Sequence, residues 1–351
     1  MEEKLRGYSL VVLSFSGLLL AGIVVSFALG RFPIGPLELF TALGDKFGEL
    51  LAALTNGKIP ATPGDGVTDQ MRTILFNVRL PRILLACMVG CCLAAAGAAY
   101  QGVFQNPMAA PDILGASSGA ATGAAFAILL QLGARMVMVF AFAASLVTIG
   151  LVMLVSRAAR GNRVLRIILA GIMISSLCNA ATSFIKLVAD PNDILPAITY
   201  WMMGSLAKTK AESVAFAAVP MAAGLLPLLL LRWRINLLTL SDDEAKTMGV
   251  NTGLVRGAVI VCATLVTAAS VSVSGLIGWV GLVVPHLIRR LVGNNYRHLL
   301  PASMLGGALF LLAVDNVSRN LLSTEIPIGI LTSAVGAPFF IWLITRKKEA
   351  I

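Results

Sequence analysis

The chain has 351 residues, of which 58% are hydrophobic and only 13% charged, and its mean hydropathy is +0.88. Soluble domains carry about a quarter charged residues, so this balance excludes a water-soluble chain and makes lipid the solvent for most of it. The formal net charge of +10 does not signal nucleic acid, because the basic residues fall in short clusters between apolar runs and not in one stripe among aromatics.

In chain order, the first apolar run, Tyr8 to Leu29, is too long for a signal-peptide core and no small-residue cleavage pattern follows it, so a retained helix is expected. Further runs predict spans near 80–103, 113–132, 136–156, 164–188, 212–231, 254–276, 281–292, 299–320 and 327–345. The eighth of the ten is short enough to cross only part of a bilayer. Ten crossings put both termini on one side of a single transmembrane domain covering residues 1–351. Alternate loops test that count through their Lys and Arg content. Well over half of the 27 basic residues, among them Lys4, Arg6, Arg157, Arg160, Arg163, Arg166, Arg232, Arg234, Arg289, Arg290, Arg297 and Arg346 to Lys348, collect on one side, which is therefore expected to be the cytoplasm.

The long loop 31–78 carries the turn signals Asn56-Gly57, Pro60, Pro63-Gly64 and Asp65-Gly66 and is expected as an external cap, too short and broken to be a ligand-binding domain. Gly115, Gly119 and Gly123 recur every fourth residue in the third span and offer a bare backbone face for close helix packing. Gly115 to Gly119 also spells the nucleophile-elbow pattern of hydrolases, but the strand that pattern needs is lacking. The break before this span, Gln105-Asn106-Pro107-Met108-Ala109-Ala110-Pro111-Asp112, combines two prolines with a carboxylate suited to start the next helix.

Ser175, Ser176, Asn179, Thr182 and Ser183 spread over a broad face of the fifth span, where such groups either line a water-filled path or pack between helices. From Ser241 to Gly249 the pattern is a short capped helix: Ser241 with Glu244 three residues on forms a capping box, and Gly249 supplies the stop. A helix this short is marginal in water and needs a surface to dock on. His286 and His298 are too few and too far apart for a metal site, and the five cysteines lie within apolar runs as small hydrophobes. The sequon at Asn316 falls inside a span and is discarded. No phosphate-cradling glycine loop is present, so ATP chemistry of that type must sit on another polypeptide.

Taken together, the blocks Arg79 to Arg82, Gln105 to Ala109, Leu114 to Ala120, Tyr200 to Ser205, Gly278 to Arg289 and Leu331 to Trp342 resemble the permease family that imports iron siderophores, haem and cobalamin, across essentially the whole chain. The resemblance implies an all-α polytopic membrane protein of about ten transmembrane helices with the type II architecture of ABC importer permeases. It implies a homodimer, two cytoplasmic ATPase subunits and an extracytoplasmic substrate-binding protein. ATP and magnesium would sit on the ATPase, with no cofactor, metal or catalytic residue on this chain.

Residue by residue, the resemblance makes 236–253 a cytoplasmic coupling segment, with Ser241, Asp242, Asp243, Glu244, Ala245, Met248 and Gly249 seated in the ATPase. It makes Arg79, Arg82 and Arg319 docking residues for acidic groups of the binding protein; the alternative for Arg319 is a pair with Asp315 one turn away along the helix. Asn106 and Met108 would lie near an inner gate. The fifth helix would line the pathway, with Met202 and Met203 as an apolar collar at its external end or as lipid-facing packing. Two rival classes make different demands. An ion-coupled secondary transporter needs partnered intramembrane carboxylates, for which only Asp315 qualifies, and an intramembrane enzyme needs a buried nucleophile and base.

Overall fold

The structure, a computed structural model, describes residues 2–30, 32, 34–54, 68–240 and 242–345. Every regular element among them is helical. They are α1 (Glu2–Ala28), α2 (Pro36–Leu54), α3 (Asp69–Thr73) running through a π-helical turn (Ile74–Arg79) into α4 (Leu80–Val103), a 3-10 turn (Pro111–Leu114), α5 (Ala116–Leu129), α6 (Ala134–Ala158), α7 (Arg163–Val188) and α8 (Ile194–Met202). There follow α9 (Ala211–Leu237), α10 (Asp242–Thr247), α11 (Thr252–Ser274), α12 (Val280–Val292), α13 (Tyr296–Asn320) and α14 (Ile328–Thr345).

Seven helical rods, α1, α3–α4, α6, α7, α9, α11 and α13, are long and apolar enough to cross a membrane. α5 and α14 are apolar but shorter. α12, at 13 residues, spans only about 20 Å at 1.5 Å per residue, less than a hydrocarbon core, as expected of the short eighth run. A helix therefore stands at each of the ten expected places.

The centre is α4, buried along nearly its whole length against α9, α11, α12 and α13. Its small residues allow this. Gly90 lies against the backbone of Gly307 in α13, and Gly97 against that of Gly281 in α12, so a side chain at either would strike main chain. A second cluster, α5 to α7, joins the centre through α11, and α5 packs on α6 with Gly119 and Gly123 turned to Thr148, Ala144 and Phe140. Packing is thus what the glycine repeat does. α1 sits outermost, on α13.

Helix starts at one end of the molecule are capped by asparagines: Asn162 for α7, Asn251 for α11 and Asn295 for α13, each accepting from backbone N–H groups of the first turn. We call this the α10 end and the opposite one the α2 end.

Two expectations are corrected. Residues 31–78 are not merely a broken cap. They contain α2, and the second crossing begins at Asp69, eleven residues early, because Arg72 of α3 is pinned to α2 by Asp45 (2.6 Å) and Glu49 (3.4 Å). The turn signals between Asn56 and Gly66 lie outside the described residues. α8, between α7 and α9, was also not anticipated.

Candidate functional site

The segment expected to couple to the ATPase, at the α10 end, is a short helix held from one side. Ala245 is fully buried, whereas Glu244, Thr247 and Met248 are exposed, so α10 turns one face to the bundle and another outward. Val250 donates back to the Ala245 carbonyl (3.3 Å), and Gly249, at φ +74°, makes the left-handed exit that a side chain would strain. Ser241 lies outside the described residues, as do the side chains of Asp242 and Asp243, and with Ser241 the expected capping box.

Beside α10 lies the loop after α4. The Asn106 side chain accepts from the Met108 backbone (2.8 Å), and both residues are exposed. Gln105, not singled out from the sequence, donates through Nε2 to the carbonyls of Leu238 (2.8 Å) and Leu240 (3.2 Å) on the strap between α9 and α10. One turn earlier, Gln101 accepts from Arg289 of α12 (2.9 Å). The Ser117 hydroxyl donates to the Asp112 carboxylate, a local bond at the start of α5 and no nucleophile–base pair.

The five polar residues of α7 separate into two sets. Thr182 is buried and shares a hydrogen bond with Thr122 of α5 (3.0 Å), and Ser175 packs beneath Gly115. Those two pack helices. Ser176, Asn179 and Ser183 form a stripe that this chain leaves uncovered, beside a second exposed stripe of Met173, Leu177 and Phe184. Of the pair at the α2 end, Met202 packs onto Ile185, Ala189 and Ile198, while Met203 stays exposed and its carbonyl accepts from Gly329 of α14.

The three arginines that the resemblance makes docking residues are each engaged within the chain. Arg79 is 4% exposed and donates to the carbonyls of Phe27 and Phe32, closing the end of α1. Arg82 is 5% exposed and ion-paired with Asp315 (2.9 Å) and Glu325 (2.9 Å). Arg319 pairs with Asp315 one turn away (3.3 Å), the alternative weighed for it, and also meets Asn316. The physical reason is counter-charge from far along the chain. Ser318 donates to the Ile326 carbonyl (2.6 Å), which folds the α13–α14 loop back and delivers Glu325 to Arg82. Asn316, the discarded sequon residue, donates to Ser26 (2.6 Å) in the interior. The histidines stand apart: His298 stacks on Tyr8 (4.2 Å), and His286 faces Phe339 and Phe340.

This helical arrangement has known counterparts. The sequence matches the model of the FecCD transport family over residues 18–346. It is 38% identical over 342 residues to the molybdate import system permease protein MolB of Haemophilus influenzae, covering 97% of each chain. It is 41% identical over 288 residues to the hemin transport system permease protein HmuU of Yersinia pestis, covering 80% of this chain and 86% of that one. Other relatives are named for iron chelatin and vitamin B12 import. Among solved structures, an ABC transporter described as of metal-chelate type, in an inward-facing conformation, superposes with a TM-score of 0.83 at 36% identity, over 96% of this chain and 99% of that one. The fold is thus that of a multi-pass membrane permease of the type II ABC importer architecture. The chain belongs to the FecCD transport family and is an ABC importer permease.

Proposed function

We propose that this chain is one half of a homodimeric permease, with α10 and both termini on the cytoplasmic side. Two separate ATPase subunits, which carry ATP and magnesium, drive it, and an extracytoplasmic binding protein delivers the solute. The observation that carries this reading is the uncovered stripe Ser176–Asn179–Ser183. Hydroxyls and an amide on a membrane helix are costly against hydrocarbon, and a second copy of the chain enclosing a watered path relieves that cost. The asymmetry of Lys and Arg between alternate loops supports the orientation.

The solute is a bulky metal chelate, an iron siderophore or haem, with cobalamin as the alternative. The stripe carries no charge, which suits a large solute already selected by the binding protein better than a bare ion. Met203 and the gate residues Asn106 and Met108 bound this path at its two ends. Glu244, Met248 and Gly249, with Ser241, Asp242 and Asp243, form the seat of the ATPase, and Ala245 anchors that helix to the bundle behind it. Arg79, Arg82 and Arg319 enter as the scaffold beneath the face that meets the binding protein, since their guanidinium groups are engaged within the chain.

An ion-coupled secondary transporter would need a carboxylate open to its ion, and Asp315 is instead fully buried between two arginines. Proteoliposomes holding the permease, its ATPase and its binding protein, offered ferric siderophore, haem, cobalamin and molybdate in turn, test the proposal. ATP-dependent uptake of a chelate supports it, and uptake without the ATPase subunit removes it.

A further inference from the structure

The turn after α4 contains a backbone feature the fold does not require. α4 ends in a Schellman motif, with Asn106 N–H bonded to the Gln101 carbonyl (3.2 Å) and Gln105 N–H to that of Gly102 (3.4 Å). The residue at its left-handed position is usually glycine, but here it is Gln105, at φ +50°. A long unbranched side chain is held in a conformation that favours glycine, and a strained residue that persists points to something the side chain does. Gln131 takes the same conformation after α5, at φ +54°, so the turn itself recurs. What marks Gln105 is its reach. The two protons of its amide meet the carbonyls of Leu238 and Leu240, 133 and 135 residues further along the chain.

The strap so held is anchored at its root. Asn236 donates to Asn295 (3.0 Å) and accepts from Tyr296 N–H (2.9 Å), which fixes the end of α9 to the start of α13. Leu238 is fully buried, and α10 begins at Asp242, two residues beyond Leu240. On its own side Gln105 directly precedes Asn106 and lies three residues before Met108. One amide therefore bridges the segment that seats the ATPase and the loop assigned to the inner gate. Each of these hydrogen bonds is modest and the site is partly open to water, so the tie is reversible, as a moving part requires.

We propose that Gln105 is a positioning residue that ties the coupling segment to the gate loop, so that a displacement of α10 is passed to Asn106 and Met108. This deepens the permease reading and rests on it. The test compares two variants with opposite backbone demands in the reconstituted transporter. Gln105→Gly keeps the left-handed turn and removes the amide; Gln105→Glu keeps length and backbone strain but, as a carboxylate, cannot donate to carbonyls. Gln131→Gly is the control.

ATPase co-purification and thermal melting report assembly and fold, and the readout is ATP hydrolysed per solute imported. Both Gln105 variants are expected to assemble and hydrolyse ATP while that ratio rises on the order of tenfold, with the control at the wild-type ratio. A wild-type ratio in Gln105→Gly, or an effect in Gln105→Glu alone, overturns the tie and leaves the permease reading standing. A wild-type complex without ATP-dependent uptake overturns the permease reading, and the tie with it.

Discussion

Arg82 and Asp315 stand 233 residues apart in the chain and meet at 2.9 Å in the interior, where Asp315 is wholly inaccessible and also faces Arg319. The Arg82 pair joins α4 to α13 at the end where the chain enters α4 and leaves α13, and Arg319 adds a second guanidinium from α13 itself. Substituting Asp315→Asn keeps the shape and leaves two buried cations with one counter-charge fewer. The expected loss is about 3–5 kcal/mol in unfolding stability, read from denaturant titration in micelles. Glu325→Gln, at the more open edge of the cluster, should cost about 1 kcal/mol or less.

The contact of α4 with α13 is also a contact of bare backbones. Gly90→Ala drives a methyl into the Gly307 carbonyl and is expected to cost about 1–3 kcal/mol or more, since main chain cannot turn aside as a side chain can. Gly150→Ala in α6 meets open space and should raise stability by about 0.5–1 kcal/mol through helix propensity. The same melting measurement reads both, and opposite signs are the expectation.

The division of α7 predicts a labelling pattern. Cysteines placed at Ser176, Asn179 and Ser183 in a background without the native cysteines should react with a water-soluble thiol reagent in the assembled transporter, whereas one at Thr182 should react at least about tenfold more slowly, shielded by its packing against α5. Equal rates at all four would remove the distinction between path and packing.

At the α10 end, Met248→Asp changes an exposed position, and Ala245→Asp buries a carboxylate where α10 rests on the bundle. The first is expected to weaken ATPase co-purification by about tenfold or more with melting unchanged. The second should lower the melting temperature as well, because an unpaired charge is forced into the interior.

The crossings were legible because a membrane demands about 20 apolar residues at a time, and even the shortness of α12 could be read from its run. α2 and α8 were not, since α2 interrupts its apolar residues with charged ones and α8, though nearly all apolar, is only nine residues long, so neither leaves such a run. The polar groups of α7 were visible as a set, and the helical period sorts them: Ser175 and Thr182, seven apart, share one face, while Ser176 and Ser183 share the next. The arginines show the limit. Their positions at helix ends suggested outward docking, but Asp315 and Glu325, which hold Arg82 inward, are 233 and 243 residues away, and no local pattern announces such a pairing. Gln105 was visible only as part of the loop motif, and its tie was not, for the same reason: its reach to Leu238 and Leu240 exists only once α9 has been packed beside α4.

The most direct measurement is solute uptake into proteoliposomes containing this chain, with and without its ATPase subunit, in the presence of the binding protein and internal ATP. Uptake of a metal chelate that requires the ATPase, consumes ATP and is abolished by Met248→Asp is the predicted result. Uptake that proceeds without the ATPase, driven by an ion gradient alone, would contradict the account.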